Sequence, residues 1–319
     1  MVGTHALLHD DTGIERLGLV VIDEQHKFGV LQRARLRQKA VAPDVLVMTA
    51  TPIPRTLAMS LFGDLDVSEI DELPPGRGPV QTVVREHEKL AEAAEFVRAR
   101  LARGRQAYIV YPVIDAAARA ELKAAAAEFQ QWSARLAPLA VGLLHGRLAP
   151  EERERVLSEF RAGRIAALVS TTVIEVGIDV PNATVLLVEN AERFGLAQLH
   201  QLRGRIGRGS HASHCILLAG EGAEESVERL RVLERTRDGF EIAAEDLRLR
   251  GAGDLLGTAQ SGLPPLRIGD LVRDAALMGR AKDLAKGILT VDPGLERPEN
   301  QHLRPLVVEP MTLELSRTA

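Results

Sequence analysis

The stretch IAALVSTTVIEVGIDVPNATVLLVE, residues 165–189, contains two apolar runs, 165–171 and 183–189, with the length and composition of buried β-strands. Similar runs occur at 106–114, 139–145 and 214–219. Strands that alternate with helices predict an α/β fold, with a parallel sheet covered by helices on both faces. Ligands of such sheets bind at the carboxyl ends of the strands, so the residues that follow each run are site candidates.

The organisation of the chain follows from the same periodicity. Helical patterns separate the strand-like runs at 116–137, 150–163 and 195–208. A shorter alternating block precedes them, with strand-like runs at 17–23 and 44–50, and the Pro- and Gly-rich stretch 71–80 indicates a linker. After about residue 236 the pattern becomes irregular and Gly-rich, and then helical. The sequence therefore predicts three segments: 1–80, 81–235 and 236–319.

The composition limits the possible functions. The chain has 319 residues, with 40 basic against 44 acidic side chains and a net charge of −4. A basic coat over the whole surface is excluded, so any contact with nucleic acid must come from local clusters. The single cysteine, Cys215, excludes an internal disulfide framework and fits a reducing cytoplasm. No run approaches the roughly 18 apolar residues of a membrane span, so we expect no membrane contact.

Two acids follow the first strand-like run. In LGLVVIDE, residues 17–24, an apolar run leads directly into Asp23 and Glu24. Asp23 at such a strand end can hold Mg²⁺, and Glu24 can orient or deprotonate an attacking water. The alternative is a strand that simply ends in solvated acids.

The arginines of QLHQLRGRIGRG, residues 198–209, form a second candidate site. On a continuous helix Gln201, Arg205 and Arg208 would project from one face. Arginine forks bind phosphate oxygens bidentately, and an arginine finger accelerates phosphoryl transfer by about 10³–10⁵. A solvated basic helix face is the alternative.

Three hydroxyl residues, Ser170, Thr171 and Thr172, follow the run 165–171 and can hold a phosphate together with the next helix N-terminus. Asp179 follows Gly177 in a loop and can reach a ribose hydroxyl. Thr49 and Thr51 end another run beside the acids, where they can link the acids to nucleic acid. Helix capping is the alternative role for all these threonines.

The phosphate-binding pattern G-x-x-x-x-G-K-[ST] does not occur in this sequence, and no Gly precedes a Lys. GAGDLLG, residues 251–257, lacks the dinucleotide-binding spacing and has no strand before it. The sequence thus combines acids, arginines and threonines typical of a nucleotide hydrolase without the loop that usually holds the β- and γ-phosphates.

Long motifs resemble the RecG family of superfamily 2, which are ATP-dependent DNA helicases that remodel stalled forks and Holliday junctions. They are VGTHALL, VIDEQHKFGVLQR, DVLVMTATPIPRTLAMSLFGDLDVSEIDELPPGR, STTVIEVGIDVPNATVLLVENAERFGLAQLHQLRGRIGRGSH and DGFEIAAEDLRLRGAGDLLGTAQSGLP. The resemblance is collinear over essentially the whole chain. It implies a partial first RecA-like motor domain in 1–80, a complete second one in 81–235, and a translocation motif with a C-terminal region in 236–319.

The resemblance also implies residue roles. Asp23 and Glu24 match the Walker B acids, with Asp23 toward Mg²⁺ and His26 in a coupling position. Gln201, Arg205 and Arg208 match the arginine-finger motif. Positions that match DNA-contacting or coupling motifs are Thr4, Thr49, Thr51, Ser170, Thr171, Thr172 and Glu175, and Gly177 and Asp179 fall on the nucleotide side of the last motif.

The segment from about Arg237 to Gly262 resembles the translocation motif of the family, a helical hairpin and loop that pull on the duplex. Arg248, Arg250 and Gln260 match its functional positions. Family members commonly carry a basic residue where this chain has Ala259, so that contact is not carried over.

The resemblance implies ATP and Mg²⁺ as cofactors, branched DNA as the partner, a monomer, and 3′–5′ translocation driven by ATP bound between the two motor domains. Family members carry a wedge domain and the phosphate loop before the motif that contains Thr4. We therefore expect a C-terminal portion that cannot hydrolyse ATP alone. Two alternatives stay open: a non-catalytic DNA-binding or regulatory module, and part of a transcription-repair coupling translocase.

Overall fold

The computed structural model describes residues 1–3, 17–23, 44–49, 67–70, 72, 76–112, 118–171, 180–250 and 274–306. The chain divides into two compact units, a terminal unit of residues 1–65 and 261–319 and a sheet unit of residues 66–260. Among the described helices none is long and apolar enough to cross a membrane.

The terminal unit contains two strands, β1 (Leu19–Ile22) and β2 (Asp44–Val47), which pair in parallel with Ile22 opposite Val47. Its long described helix is α8 (Ala275–Val291), and a 3₁₀ segment follows at Gln301–Leu306. The side chain of Asp292 accepts hydrogen bonds from the backbone N–H groups of Glu296 and Arg297, and this ties down the turn after α8.

The sheet unit is built on six parallel strands in the order β3-β8-β7-β4-β6-β5. Their bounds are β3 (Val80–Arg85), β4 (Gln106–Val110), β5 (Val141–Leu144), β6 (Ala167–Ser170), β7 (Ala183–Val188) and β8 (Ser213–Leu218). The predicted α/β fold with a parallel sheet is confirmed.

Helices connect these strands. They are α1 (Leu90–Leu101), α2 (Ala118–Leu136), α3 (Pro150–Arg161), α4 (Leu196–Arg203), α5 (Glu224–Leu230), α6 (Val232–Arg235) and α7 (Gly239–Arg250), with 3₁₀ turns at His87–Lys89 and Ala191–Arg193. Pro150 occupies the first turn of α3, where its missing N–H costs no hydrogen bond.

Helices on both faces explain why the central strands are buried at every position and mostly apolar, with Gln106, Ser170 and Thr184 as the polar exceptions. All residues of β4, β6 and β7 are buried. One face packs Tyr108, Leu168 and Leu186 against α3, α4 and their neighbours, and the other packs Ile109 and Leu187 against α1 and α2. Strands buried on both faces do not alternate between polar and apolar residues, and the sequence of these strands accordingly shows no such alternation.

The helix predicted over 195–208 was too long. Helix α4 ends at Arg203, and Gly204 is its C-cap. Gly207 has φ +72°, a left-handed conformation that no helix interior contains and that glycine adopts most readily. Strand β3 and helix α1 were not predicted. The predicted linker 71–80 already includes Val80, the first residue of β3.

Candidate functional site

The segment Gly204–Gly209, here the arginine segment, carries Arg205 and Arg208 beyond the end of α4. The prediction that both arginines share a helix face with Gln201 is therefore wrong. Helix α4 itself is held by the buried side chains of Leu196, Leu199 and Leu202. The arginine segment turns tightly against β3, since a Cβ on Gly207 would lie 2.6 Å from Val80 Cγ2.

Two neighbouring backbones fix the arginine segment in place. The N–H of Gly78 donates to the carbonyl of Gly209 at 2.8 Å. A Cβ on Gly209 would lie 2.9 Å from the carbonyl oxygen of Pro181, and a Cβ on Gly78 only 2.4 Å from that of His211. The Pro181 carbonyl, two residues after the predicted site residue Asp179 in the sequence, therefore lies beside the arginine segment.

The side chains of Gln201, Arg205 and Arg208 are partly exposed. Arg208 donates from Nε to the carbonyl oxygen of Gly204 at 3.2 Å, which orients its guanidinium. Planar guanidinium groups held in this way suit bidentate binding of phosphate oxygens, so a nucleotide phosphate fits the chemistry of this segment.

Arg203, which the sequence analysis missed, is a buried cation at the end of α4. It donates from one terminal nitrogen to the carbonyl oxygens of Leu233 (2.8 Å) and Thr236 (3.1 Å), and from the other to Nδ1 of His200 (2.9 Å). Burial lowers the pKa of Arg203. Burial first, and the Arg203 charge second, lower the pKa of His200 to about 4, so this imidazole is neutral at pH 7 and can accept. Arg203 thus joins α4 to the corner between α6 and α7.

Arg229 makes a second connection of this kind. It donates to the carbonyl oxygens of Glu192 (2.6 Å) and Phe194 (3.0 Å), just before α4, and its other terminal nitrogen lies 3.8 Å from Asp246 Oδ1 on α7. Three elements therefore meet on one guanidinium. Neither Arg203 nor Arg229 carries a sequence signature of its own, because their acceptors are mostly backbone carbonyls far away in the chain.

At the carboxyl edge of the sheet, three adjacent strands end in polar residues. Ser170 at the end of β6 donates from Oγ to the carbonyl of Thr171 at 2.7 Å. Tyr111 follows β4 and Glu189 follows β7, and the backbone N–H groups of Tyr111 and Glu189 donate to Ser170 and Val110. The hydroxyls of Thr171 and Tyr111 are buried and have no hydrogen-bond partner among the described residues.

Glu189 is a buried carboxylate that the sequence analysis also missed. Its Oε1 accepts a hydrogen bond from Trp132 Nε1 at 2.7 Å. Burial raises the pKa of Glu189, and the Glu128 charge adds to that rise, while the Trp132 hydrogen bond opposes it. The next four predicted residues, Thr172, Glu175, Gly177 and Asp179, lie outside the described residues.

In the terminal unit, Asp23 and Thr49 emerge at the same edge of the β1–β2 pair. Ile22 pairs with Val47, and the Met48 N–H donates to the Ile22 carbonyl at 2.7 Å. Asp23 is exposed, and a carboxylate oxygen at a strand end is the kind of ligand that Mg²⁺ prefers. The predicted residues Thr4, Glu24, His26 and Thr51 lie outside the described residues.

The predicted translocation residues are placed in part. Arg248 is exposed on α7, where its guanidinium contacts Glu245 Oε2 at 2.8 and 2.9 Å. Arg250 is the last residue of α7, and Gln260 lies outside the described residues.

Comparison with known proteins identifies the family. The profile described as "Helicase conserved C-terminal domain" matches residues 88–210, and "ATP-dependent DNA helicase RecG, domain 3, C-terminal" matches 236–309. The ATP-dependent DNA helicase RecG of Synechocystis sp. is 53% identical over 297 residues, which cover 93% of this chain and 36% of that protein. The chain belongs to the RecG family.

Further RecG proteins are similar to this chain to a comparable degree. RecG of Thermotoga maritima is 50% identical over 94% of this chain and 38% of its own length. A solved structure of RecG bound to a three-way DNA junction is 49% identical, with a TM-score of 0.65 over 87% of this chain and 35% of that one. The chain thus spans between a third and a half of the length of these RecG proteins. The helicase Lhr of Mycobacterium smegmatis, 19% identical with a TM-score of 0.51, shares the fold.

The two matched regions meet close to Arg203. Gln201, Arg205 and Arg208 fall inside the helicase C-terminal match, and Thr236 is the first residue of the RecG domain 3 match. Arg203 binds the Thr236 carbonyl, so this one side chain connects the arginine motif to the start of the RecG-specific region.

Proposed function

We propose that this chain supplies the second motor domain and the translocation region of an ATP-dependent DNA helicase of the RecG type, which remodels stalled forks and Holliday junctions in recombination and repair. The observation that carries this proposal is the 49% identity, over 87% of the chain, to a RecG whose structure is bound to a three-way DNA junction. The functional division is 1–80, 81–235 and 236–319, and the protein works as a monomer in the cytoplasm.

Nucleotide chemistry rests on two groups of residues. Arg205 and Arg208, with Gln201, contact the phosphates of ATP, and the backbone contacts of Gly78 and Pro181 to the arginine segment support a preorganised arginine geometry. Preorganised charge is effective because it costs no rearrangement when the transition state forms. Asp23 holds Mg²⁺, which supplies charge neutralisation at the phosphates, while Glu24 orients the attacking water and His26 couples the site to DNA. Gly177 and Asp179 border the nucleotide.

DNA contacts come from the strand-end residues. The backbone of the translocated strand is contacted by Thr4, Thr49 and Thr51 of the terminal unit and by Ser170 to Thr172 and Glu175 of the sheet unit. Translocation along this strand runs in the 3′–5′ direction. Arg248, Arg250 and Gln260 act in the translocation motif. The buried hydroxyl of Thr171 has no hydrogen-bond partner among the described residues, which is compatible with a ligand at this edge.

The 319-residue chain lacks the G-x-x-x-x-G-K-[ST] pattern, so we expect it to bind fork DNA but to hydrolyse ATP poorly. The test measures ATP turnover with and without fork DNA, beside Glu24→Gln, together with fork binding by fluorescence anisotropy. Fork binding without turnover above that of Glu24→Gln supports the proposal. DNA-stimulated turnover that Glu24→Gln abolishes would show a complete ATP site, and an absence of fork binding would refute the DNA-related part.

A further inference from the structure

The amino edge of the sheet, opposite to the edge with Ser170 and Thr171, carries a cluster of arginines. We call this cluster the arginine edge, and it consists of Arg98, Arg100, Arg103, Arg105, Arg161 and Arg164. The first four lie in the last turn of α1 and between α1 and β4. Arg161 is the last residue of α3, and Arg164 lies between α3 and β6. Arg98, Arg103, Arg161 and Arg164 are exposed, and the other two are partly exposed.

Hydrogen bonds bring the two segments together. Gln106, the first residue of β4, donates from Nε2 to the carbonyl oxygens of Phe160 (2.5 Å) and Ile165 (2.9 Å), which flank Arg161 and Arg164 in the chain. Asn182, before β7, accepts from Arg105 at 3.1 Å and donates to the Gly104 carbonyl at 2.8 Å. Because β4 lies between β6 and β7, both groups of arginines lie at the amino edge of the sheet, at the ends of helices that cover its two faces.

This surface is unusually poor in negative charge. No Asp or Glu occurs in 96–112 or 160–171, although Glu95 and Glu159 border these ranges and Glu154 contacts Arg161. Within the part of the chain that the structure describes, Arg161 has a carboxylate partner, Glu154 at 3.1 Å, and the other five arginines have none. In a chain with a net charge of −4, such a cluster is a local concentration of positive potential.

Helix stability does not account for the whole cluster. Basic side chains in the last turn of a helix interact favourably with its dipole, which explains Arg98, Arg100 and Arg161. Arg103, Arg105 and Arg164 lie beyond the helix ends, where this effect fades. Arg105 has a structural partner in Asn182. Arg103 and Arg164 have no such side-chain contact among the described residues, and binding of a polyanion would explain them.

We propose that the arginine edge binds the phosphate backbone of duplex DNA, as a contact additional to the strand-end residues at the opposite edge of the sheet. The proposal rests on the proposed function, because a branched substrate offers several duplex arms. Arginine forks recognise phosphate oxygens directly. Single strands are usually held by exposed aromatic rings as well, and the exposed large apolar side chains of the described residues include no aromatic.

The test compares triple variants of the 319-residue chain in binding to a linear duplex and to a fork, by fluorescence anisotropy between 50 and 200 mM NaCl. Arg98, Arg103 and Arg164 are changed to Gln. Each phosphate contact contributes about 0.9 to the slope of log K against log salt, so loss of three contacts reduces the slope by about 2.7. Over this salt range the variant should lose about 40-fold less affinity than the unmodified chain.

Two matched variants separate charge at this edge from total charge and from folding. Changing Arg155, Arg231 and Arg235 to Gln removes the same net charge from exposed, ion-paired arginines elsewhere and should keep the original slope. Changing Arg98, Arg103 and Arg164 to Lys keeps the positive charge and should therefore also keep the slope of log K against log salt.

Three results would overturn the proposal: an unchanged slope in the Gln variant of the arginine edge, an equal reduction in the control variant, or displacement of the duplex by poly-glutamate more readily than by competing duplex. The last result would assign the surface to an acidic protein partner. If the unmodified chain binds neither duplex nor fork, the proposed function fails together with this inference. If it binds both and only the slope is unchanged, the inference alone fails.

Discussion

Arg203→Met tests whether one buried guanidinium holds the end of α4 to the α6–α7 corner. The substitution keeps much of the apolar volume but removes the donors to the carbonyls of Leu233 and Thr236 and to His200 Nδ1. A buried carbonyl without a partner costs about 1–3 kcal/mol, so the two carbonyls together predict a loss of about 2–6 kcal/mol in the free energy of unfolding. Relief of the cost of burying the charge works in the opposite direction, which favours the lower half of that range.

The sequence provides a specific probe for this experiment. Trp132 is the only tryptophan and is fully buried in the sheet unit, so its fluorescence during urea unfolding reports on that unit. Arg231→Met is the matched control, because Arg231 is exposed and an exposed ion pair such as that with Glu228 contributes little to stability. A loss below about 1 kcal/mol in Arg203→Met, or one equal to that of the control, would refute the structural role of Arg203.

The same variant should change the pH dependence of stability. The pKa of His200 is lowered to about 4 in the folded chain, so between about pH 6.5 and 4 the unfolded chain binds more protons and stability falls as the pH falls. Removing Arg203 removes the second cause of the lowered pKa and leaves burial, the first. The difference in unfolding free energy between the two proteins should therefore be smaller at pH 4.5 than at pH 7.5, and a constant difference would contradict this interpretation.

Two further substitutions test buried polar groups and close contacts. Glu189→Gln keeps an acceptor for Trp132 but carries no charge. Because burial raises the pKa of Glu189, the stability of the unmodified chain should fall as the pH rises above 4.5. Urea unfolding at pH 4 and 7 should show a smaller fall in the variant. Gly78→Ala places a methyl group 2.4 Å from the His211 carbonyl oxygen and should cost about 1–3 kcal/mol in circular dichroism-detected unfolding. Gly287→Ala, in a helix with open space around it, should instead be neutral or stabilising by up to about 1 kcal/mol, and equal effects of the two alanines would argue against the close contact.

The sheet was predictable from sequence because strands that are buried on both faces appear as continuous apolar runs. All positions of β4, β6 and β7 are buried and nearly all of them are apolar or small, and such runs are hard to mistake when helices separate them. Strand β3 lies at the edge of the sheet and has exposed and half-buried positions, so its residues carry a weaker signal. The Pro- and Gly-rich stretch in front of it concealed its start.

The arginine motif shows where periodicity misleads. Counting residues at helical spacing placed Gln201, Arg205 and Arg208 on one face, but Gly204 and Gly207 end the helix first. The glycines were noticed as costly in a helix, and the structure gives their reason, which is the close approach of β3 and of the Pro181 carbonyl. A glycine that is unfavourable for the predicted element is therefore evidence that the element ends there.

The buried polar groups were out of reach for a different reason. Besides His200 and Asp246, the partners of Arg203, Arg229 and Glu189 lie between 30 and 57 positions away in sequence, and four of them are backbone carbonyls that any residue could supply. Nothing in the composition of a segment distinguishes such an arginine from a solvated one. The two guanidiniums nonetheless tie the segments around α4 to α5, to the α6–α7 corner and to Asp246 on α7, so movement of the arginine segment on binding a phosphate would be transmitted to the helix that carries Arg248. This transmission depends on rigid contacts at both ends, and Arg203→Met removes the contacts at one of them.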